Sequence, residues 1–450
     1  MIRRFLATLL LGLLGATATA AQDSISGRVT GAGGSPEAGV WIIAETPDLP
    51  TDYRKIVVTD DNGRFVIPQL PAARYAVWVR GYGLADSAKV PAAPGDELSL
   101  TVAMAEDAIE AAAVYPSSYW LALLQPPPAT SFHNADGPYR SQAAWRSQLK
   151  LNCVLCHQLG SLATRLSTFN DFDAGLKKAT GMNYFADALG RQRLLQTLAD
   201  WGGRIAAGET PIAPPRPRGI ERNFVITQWG WGDSYTYAHD QIATDKRDPT
   251  RYANAPIYGV DIGNDYLMSL DPASHRVNRI KIPTRDHFDT PWCEQTHKPI
   301  DSDDIGPFGF GSLGCPEIDG NTPHTGRYEN PANPHNPMMD DSGKIWMTTQ
   351  IRRQWAEDMP AFCRRSPVIA NNLHHRQLAY YDTTTHAFVL VDTCYGTHHL
   401  QFDNTGVLWS SGDNYVIGWF DPKKFKADDP ASLEAAQGWS EVTVDSDGDG

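Results

Sequence analysis

The sequence carries no run of Lys and Arg, and beyond residue 14 it has no apolar stretch long enough to cross a bilayer. Acidic residues number 52 against 39 basic ones, a formal charge of -13, which excludes nucleic acid or an anionic membrane surface as the expected partner. Cysteine is scarce, with 6 in 450 residues, and no second ligand pair stands at zinc-finger spacing. What is present is enough to fill several cores: hydrophobic residues make up 42% of the chain, and three domains are expected after a leader.

That leader is Met1-Ile2-Arg3-Arg4, an apolar run from Phe5 to Leu14, and Ala18-Thr19-Ala20. A charged start, a short apolar core and small residues before a cleavage point read as a signal peptide over 1–21, so the mature protein is expected to be periplasmic or secreted, without an integral membrane segment. In an oxidising compartment cysteines pair. Setting aside Cys153 and Cys156, the remaining Cys293, Cys315, Cys363 and Cys394 allow three pairings, of which proximity favours Cys293 with Cys315 and Cys363 with Cys394.

Short alternating runs fill 22–105, among them Ile25-Ser26-Gly27-Arg28-Val29 and Tyr75-Ala76-Val77-Trp78-Val79, and predict an antiparallel sandwich. Asn62-Gly63 between two such runs predicts a hairpin with both residues at positive φ. Gly27-Arg28-Val29, Pro36, Gly39-Val40, the stretch Thr59-Asp60-Asp61-Asn62-Gly63-Arg64-Phe65, and Leu70-Pro71 leading to Tyr75 resemble the carboxypeptidase regulatory-like, or transthyretin-like, domain. The resemblance implies a β-sandwich with an accessory role.

From 106 to 218 the pattern turns helical. Trp145, Leu149 and Leu151 lead into Cys153-Val154-Leu155-Cys156-His157, and Phe185, Leu189, Leu194, Leu195, Leu198, Trp201 and Ile205 follow at helical spacing. Gly202-Gly203 is expected to stop the helix, and Pro211 to Pro217 to form a linker. Two thiols three positions apart reach the haem vinyl groups, and the adjacent imidazole comes under the iron, so the five residues predict covalent haem c with His157 as proximal ligand. A chain of this composition holds such a motif by chance about 0.002 times. The segment is similar to small c-type cytochromes, which implies that Met182, in Thr180-Gly181-Met182-Asn183, supplies the distal ligand. His133 is the reserve, and the other reading packs Met182 in the core.

The part from 219 to 450 repeats itself. His335-Asn336-Pro337-Met338-Met339-Asp340-Asp341-Ser342-Gly343-Lys344-Ile345-Trp346 aligns without gaps to His398-His399-Leu400-Gln401-Phe402-Asp403-Asn404-Thr405-Gly406-Val407-Leu408-Trp409, and a weaker copy starts at His239. Each leads to a second strand pair, at Tyr266 to Asp271, Gln377 to Asp382 and Val416 to Asp421. Strand, Asp/Gly turn and strand in repetition predict β-propeller blades. The copies resemble the blades of streptogramin-lyase-like (virginiamycin B lyase-like) propellers, with 284–330 as a long insertion. That family's lyase chemistry uses acidic partners that find no match here.

His239, His335 and His398 share one phase of the repeat, which predicts equivalent places near the propeller axis. Converging imidazoles suit copper, iron or zinc, or a general base. The bland alternative is a structural hydrogen bond between blades. His399 is a further candidate, while His275 and His386 fall on an outer hairpin. The ending Asp445-Ser446-Asp447-Gly448-Asp449-Gly450 opens like a calcium loop without its closing Glu, and a propeller ending there lacks closing strands, so a longer reading frame is expected. The whole predicts a multidomain, mainly β chain: sandwich, short cytochrome segment, propeller. The expected activity is electron transfer between a propeller-bound substrate, metal or partner protein and an acceptor. The alternatives are a lyase or hydrolase with an ancillary haem, and a non-catalytic scaffold.

Overall fold

A computed structural model describes residues 23–132, 139, 141–154, 158–177, 185–232, 236, 238–262, 264–285, 332–351, 359–370, 376–411 and 415–442. The expected signal peptide, Cys293, Cys315 and 445–450 lie outside these. The chain divides into two compact units, one running to Tyr119 and including Thr210–Gln228, the other made of Trp120–Glu209 and the chain from Trp229 onward.

In the first unit, strands follow wherever apolar and polar residues alternate: β1 (Ile25–Thr30), β2 (Trp41–Thr46), β3 (Tyr53–Val58), β4 (Arg64–Ile67), β5 (Tyr75–Arg80), β6 (Val90–Ala92) and β7 (Glu97–Thr101). They form a three-stranded sheet β4-β1-β7 and a larger sheet β6-β5-β2-β3, which β8 (Ile226–Trp229) extends beside β3. The expected all-antiparallel pairing fails at one place, since β1 and β7 run parallel. Parallel neighbours need a crossover, and here the chain makes one through the other sheet.

The hairpin expected at Asn62-Gly63 does not form: β3 and β4 lie in different sheets, and β4 pairs with β1 instead. Gly63 alone takes a positive φ, 70°. Asp60 Oδ1 accepts the N–H groups of Asn62 and Arg64, both at 2.8 Å, which holds the turn closed with Asn62 in an ordinary conformation. Residues 210–228, read from the sequence as linker and propeller start, belong to this unit. Arg216 donates to the Tyr82 carbonyl (3.0 Å) and pairs with Glu37 (2.7 Å), while Arg222 pairs with Asp61.

The second unit opens with a helical cluster. Helices Gln142–Val154 and Arg191–Ala206 bury Trp145, Leu149, Leu194, Leu195, Leu198 and Trp201 with Phe132 and Phe172. The two indoles are satisfied inside: Trp145 Nε1 donates to Leu189 O (2.8 Å) and Trp201 Nε1 to Trp120 O (2.9 Å). Leu151 faces outward, 61% exposed, because it lies off the stripe that Trp145 and Leu149 define. Nor do Gly202 and Gly203 end the helix, which runs on to Ala206. A Cβ at Gly202 would stand 1.8 Å from the Leu166 carbonyl oxygen, so the glycine serves close packing.

Three four-stranded antiparallel sheets follow. Their strands are β9 (Ala238–Ile242), β10 (Ile257–Asp261), β11 (Tyr266–Asp271) and β12 (Arg276–Lys281), then β13 (His335–Met339), β14 (Ile345–Thr349), β15 (Gln377–Asp382) and β16 (Ala387–Val391), then β17 (His399–Phe402), β18 (Leu408–Ser411), β19 (Val416–Phe420) and β20 (Gln437–Glu441). The repeat has a local chemical cause. Asp340 Oδ1 accepts from Ser342 and Lys344 N–H while Oδ2 accepts from Trp346 Nε1 at 2.8 Å. Asp403 does the same with Thr405, Val407 and Trp409, the last at 2.9 Å. In the first copy Asp245 instead holds Arg247, through the N–H (3.0 Å) and the guanidinium (2.9 Å), and the chain takes a longer path to β10. Cys363 and Cys394 form the expected disulfide in the buried interior.

Candidate metal site on the inner strands

Strands β9, β13 and β17 lie side by side, stitched by the residue that follows each histidine. Asp240 Oδ2 accepts the Asn336 N–H (2.9 Å), and Asn336 Oδ1 accepts the Leu400 N–H (2.6 Å). Both residues sit in bulges. Val260 pairs with His239 and Gly259 with Gln241, leaving Asp240 between them at φ 47°. His335 pairs with Thr348 and Met338 with Trp346, leaving Asn336, at φ 45°, and Pro337 against a single partner. A bulge turns the strand and re-aims its side chains, and here it turns the histidines toward one another.

The imidazoles stand in a row. Ring centroids are 5.0 Å apart for His239 and His335, 4.8 Å for His335 and His398, and 4.5 Å for His398 and His399. Exposure changes along the row: the His335 side chain is 6% exposed and that of His239 37%, His398 is half-buried and His399 exposed. All four sequence candidates therefore meet at the neighbouring edge strands β9, β13 and β17. Convergence of ligand atoms is narrower. Among the described residues, one nitrogen each from His239 and His335 and an oxygen of Asp240 lie within 4.8 Å of one another, and His398 is not in that group. Asp240 escaped the sequence reading, which sought equivalent histidines. The only hint was an Asp after the first His where the other copies have Asn336 and His399.

Electrostatics separate these groups. His239 Nδ1 lies 3.0 Å from Asp240 Oδ2, and that contact raises the His239 pKa against the effect of burial. Burial would raise the Asp240 carboxyl; the neighbouring His239 and the Asn336 N–H outweigh it and hold the group ionised far below the usual carboxylate range. His335 is pushed down to about 4, first by burial; Asp240 opposes this, and the Arg376 guanidinium and the other two imidazoles add to it, so the ring is neutral near pH 7. His335 Nδ1 is 3.8 Å from Asp240 Oδ2, beyond hydrogen-bond reach, and neither ring nitrogen has a hydrogen-bond partner among the described residues. His275 and His386 occupy matching outer turns, at φ 56° and 57°, where the first accepts from Trp229 Nε1 and the second meets Tyr381 Oη, each at 3.0 Å.

Of the haem motif, Cys153 is described; Cys156, His157, Met182 and His133 lie outside the described residues. Cys153 ends helix Gln142–Val154, 8% exposed, in the cluster of Trp145, Leu149, Phe132 and Phe172. Burial pushes its thiol up to about 12. A site that so disfavours a thiolate is a poor zinc or thiol-redox site, whereas an uncharged thioether beside an apolar macrocycle suits it. On that test Cys153, the one described residue of the motif, is compatible with a thioether attachment.

Residues 24–105 match the carboxypeptidase regulatory-like domain family. Comparison with curated proteins returned no match. Solved structures similar to parts of the chain include a type II cohesin–X-dockerin complex from Acetivibrio cellulolyticus (22% identity, 20% of this chain and 62% of that one, TM-score 0.16). Others are catechol 1,2-dioxygenase from Pseudomonas arvilla C-1 (11% identity, 22% and 57%, TM-score 0.17) and a streptogramin B lyase (11%, 42% and 58%, TM-score 0.17). The chain spans about three-fifths of the length of these structures.

Proposed function

We propose that this is an exported, periplasmic electron-transfer protein in which the helical cluster carries one covalent haem c and the three repeated sheets are blades of a β-propeller that binds the electron-exchanging substrate or partner protein. The observation that carries the reading is Cys153, the first cysteine of a Cys-x-x-Cys-His motif, buried at a helix end among aromatic and aliphatic side chains. Cys153 and Cys156 would hold the group by thioether bonds and His157 would ligate the iron, with Met182 as distal ligand. The haem supplies single-electron exchange when bound. The chain's own residues exclude water: Trp145, Leu149, Phe172 and Trp201 line the cluster.

The propeller reading is supported by the stitching of β9, β13 and β17, which is how blades meet around an axis. The carboxypeptidase regulatory-like domain then serves as an accessory module. The test is the visible spectrum of the full chain matured in a host that attaches haem c. Denatured protein should keep its haem bands, and the reduced bands should bleach when periplasmic extract is added under anaerobic conditions. A chain that matures without covalent haem, or whose reduced bands never respond to any such extract, overturns the proposal.

A second reading, acid/base lyase or hydrolase chemistry, draws on the 3.0 Å His239–Asp240 contact, which orients the imidazole as a base is oriented. It predicts turnover that survives loss of the haem, measured with a Cys153→Ser variant.

A further inference from the structure

We infer that His239, Asp240 and His335 form a site for one first-row transition-metal dication of the iron(II)-to-zinc(II) series, independent of the haem. Three observations lead there. The first is His335, whose side chain is 6% exposed and whose two ring nitrogens have no hydrogen-bond partner among the described residues. A buried polar atom left so costs about 1–3 kcal/mol, and native proteins seldom leave two on one ring without something to fill them.

The second is distance. Ligand atoms of the three residues lie within 4.8 Å of one another. Around one ion at about 2.1 Å they would be ~3.4 Å apart at tetrahedral angles, so side-chain rotations of about 1 Å close the site. Two imidazoles and one carboxylate suit a borderline ion; calcium and magnesium want oxygen throughout. Three protein ligands leave a coordination position open for water or substrate.

The third is a charge that packing does not need. Asp240 and Asn336 perform the same structural task, each accepting an N–H from the next inner strand, at 2.9 and 2.6 Å. Asn336 does so with a neutral amide. The carboxylate appears only in the copy that faces both His239 and His335, where its negative charge favours a cation. The oxygen that accepts the Asn336 N–H, Oδ2, is also the one nearest both imidazoles, so the ion would share it with that N–H.

The test uses the full, haem-loaded chain, stripped with a chelator, incubated with cobalt(II) chloride, desalted and analysed for elements. Iron counts the haem and cobalt counts this site, so either proposal can fail alone. Wild type should keep one cobalt per chain, displaced by zinc, with imidazole scattering in cobalt-edge X-ray absorption. His335→Ala and His239→Ala should lose it, His398→Ala should keep it, and Asp240→Asn should weaken binding by about 10–100-fold or more. Wild type that retains no cobalt, full cobalt in His335→Ala, or an absorption spectrum without imidazole overturns the inference. The wild-type measurements decide by themselves should a variant fail to fold, which far-UV circular dichroism reports.

Discussion

Replacing Trp346 with Phe, and separately Trp409 with Phe, compares one interaction in two environments. Each indole donates to an Asp six residues earlier, at 2.8 and 2.9 Å, and each closes the same turn. Trp346 is 1% exposed and Asp340 6%, whereas Trp409 is 41% exposed. At the buried site Phe leaves a carboxylate oxygen without its donor and without water. A hydrogen bond to a charged group contributes about 1.5–3 kcal/mol, and the smaller ring opens a cavity costing on the order of 1 kcal/mol more. Trp346→Phe should therefore destabilise by about 3 kcal/mol. At the exposed site water replaces the indole, and the effect should be less than half as large. Urea unfolding of the full chain followed by far-UV circular dichroism measures both, compared at constant m-value. Equal losses would refute the assignment of the cost to desolvation and would point to the turn itself.

Gly202→Ala and Gly203→Ala should move stability in opposite directions. The first places a methyl 1.8 Å from the Leu166 carbonyl oxygen and should lower the melting temperature by the equivalent of about 1–3 kcal/mol or more. The second meets nothing nearer than the Ser167 oxygen at 3.7 Å and should gain up to ~1 kcal/mol of helix propensity. Asp265, its side chain 4% exposed and raised to about 6 by burial, holds its proton longer folded than unfolded. Stability should consequently fall as pH rises from about 4 to 6, by on the order of 2–3 kcal/mol, and remain lower above that window. Asp265→Asn should flatten this slope while still accepting the Asn333 N–H; an unchanged slope in urea titrations across that range would disprove the linkage.

The repeated sheets were legible because the Asp-to-Trp turn contains its own chemistry within seven residues. The Cys363–Cys394 disulfide was legible from the expected export together with proximity in sequence. Features that depend on distant partners were not. Nothing near Gly202-Gly203 announces the Leu166 carbonyl, so two glycines read as a helix stop. Nothing near Arg216 and Arg222 announces Glu37 and Asp61, so 211–217 read as linker and 219 onward as propeller. Asn62-Gly63 was read as a two-residue turn because the competing acceptor, the Asp60 carboxylate, acts through space rather than through backbone preference.

The candidate site shows the limit most clearly. Register placed three histidines together, and symmetry then treated them alike, but bulges at Asp240 and Asn336 break the symmetry and leave His398 beside the ligand group. A staple and a ligand can be told apart by mutation. If Asn336 only joins strands, Asn336→Ala should cost about 1 kcal/mol by orphaning the Leu400 N–H, with cobalt binding intact in the folded fraction. If Asp240 is a ligand, Asp240→Asn should keep its hydrogen bond to Asn336 and weaken cobalt binding, while loss of the His239 ion contact lowers urea stability. Loss of stability without loss of cobalt in Asp240→Asn would make the carboxylate a structural group, and the metal site would then rest on the imidazoles alone.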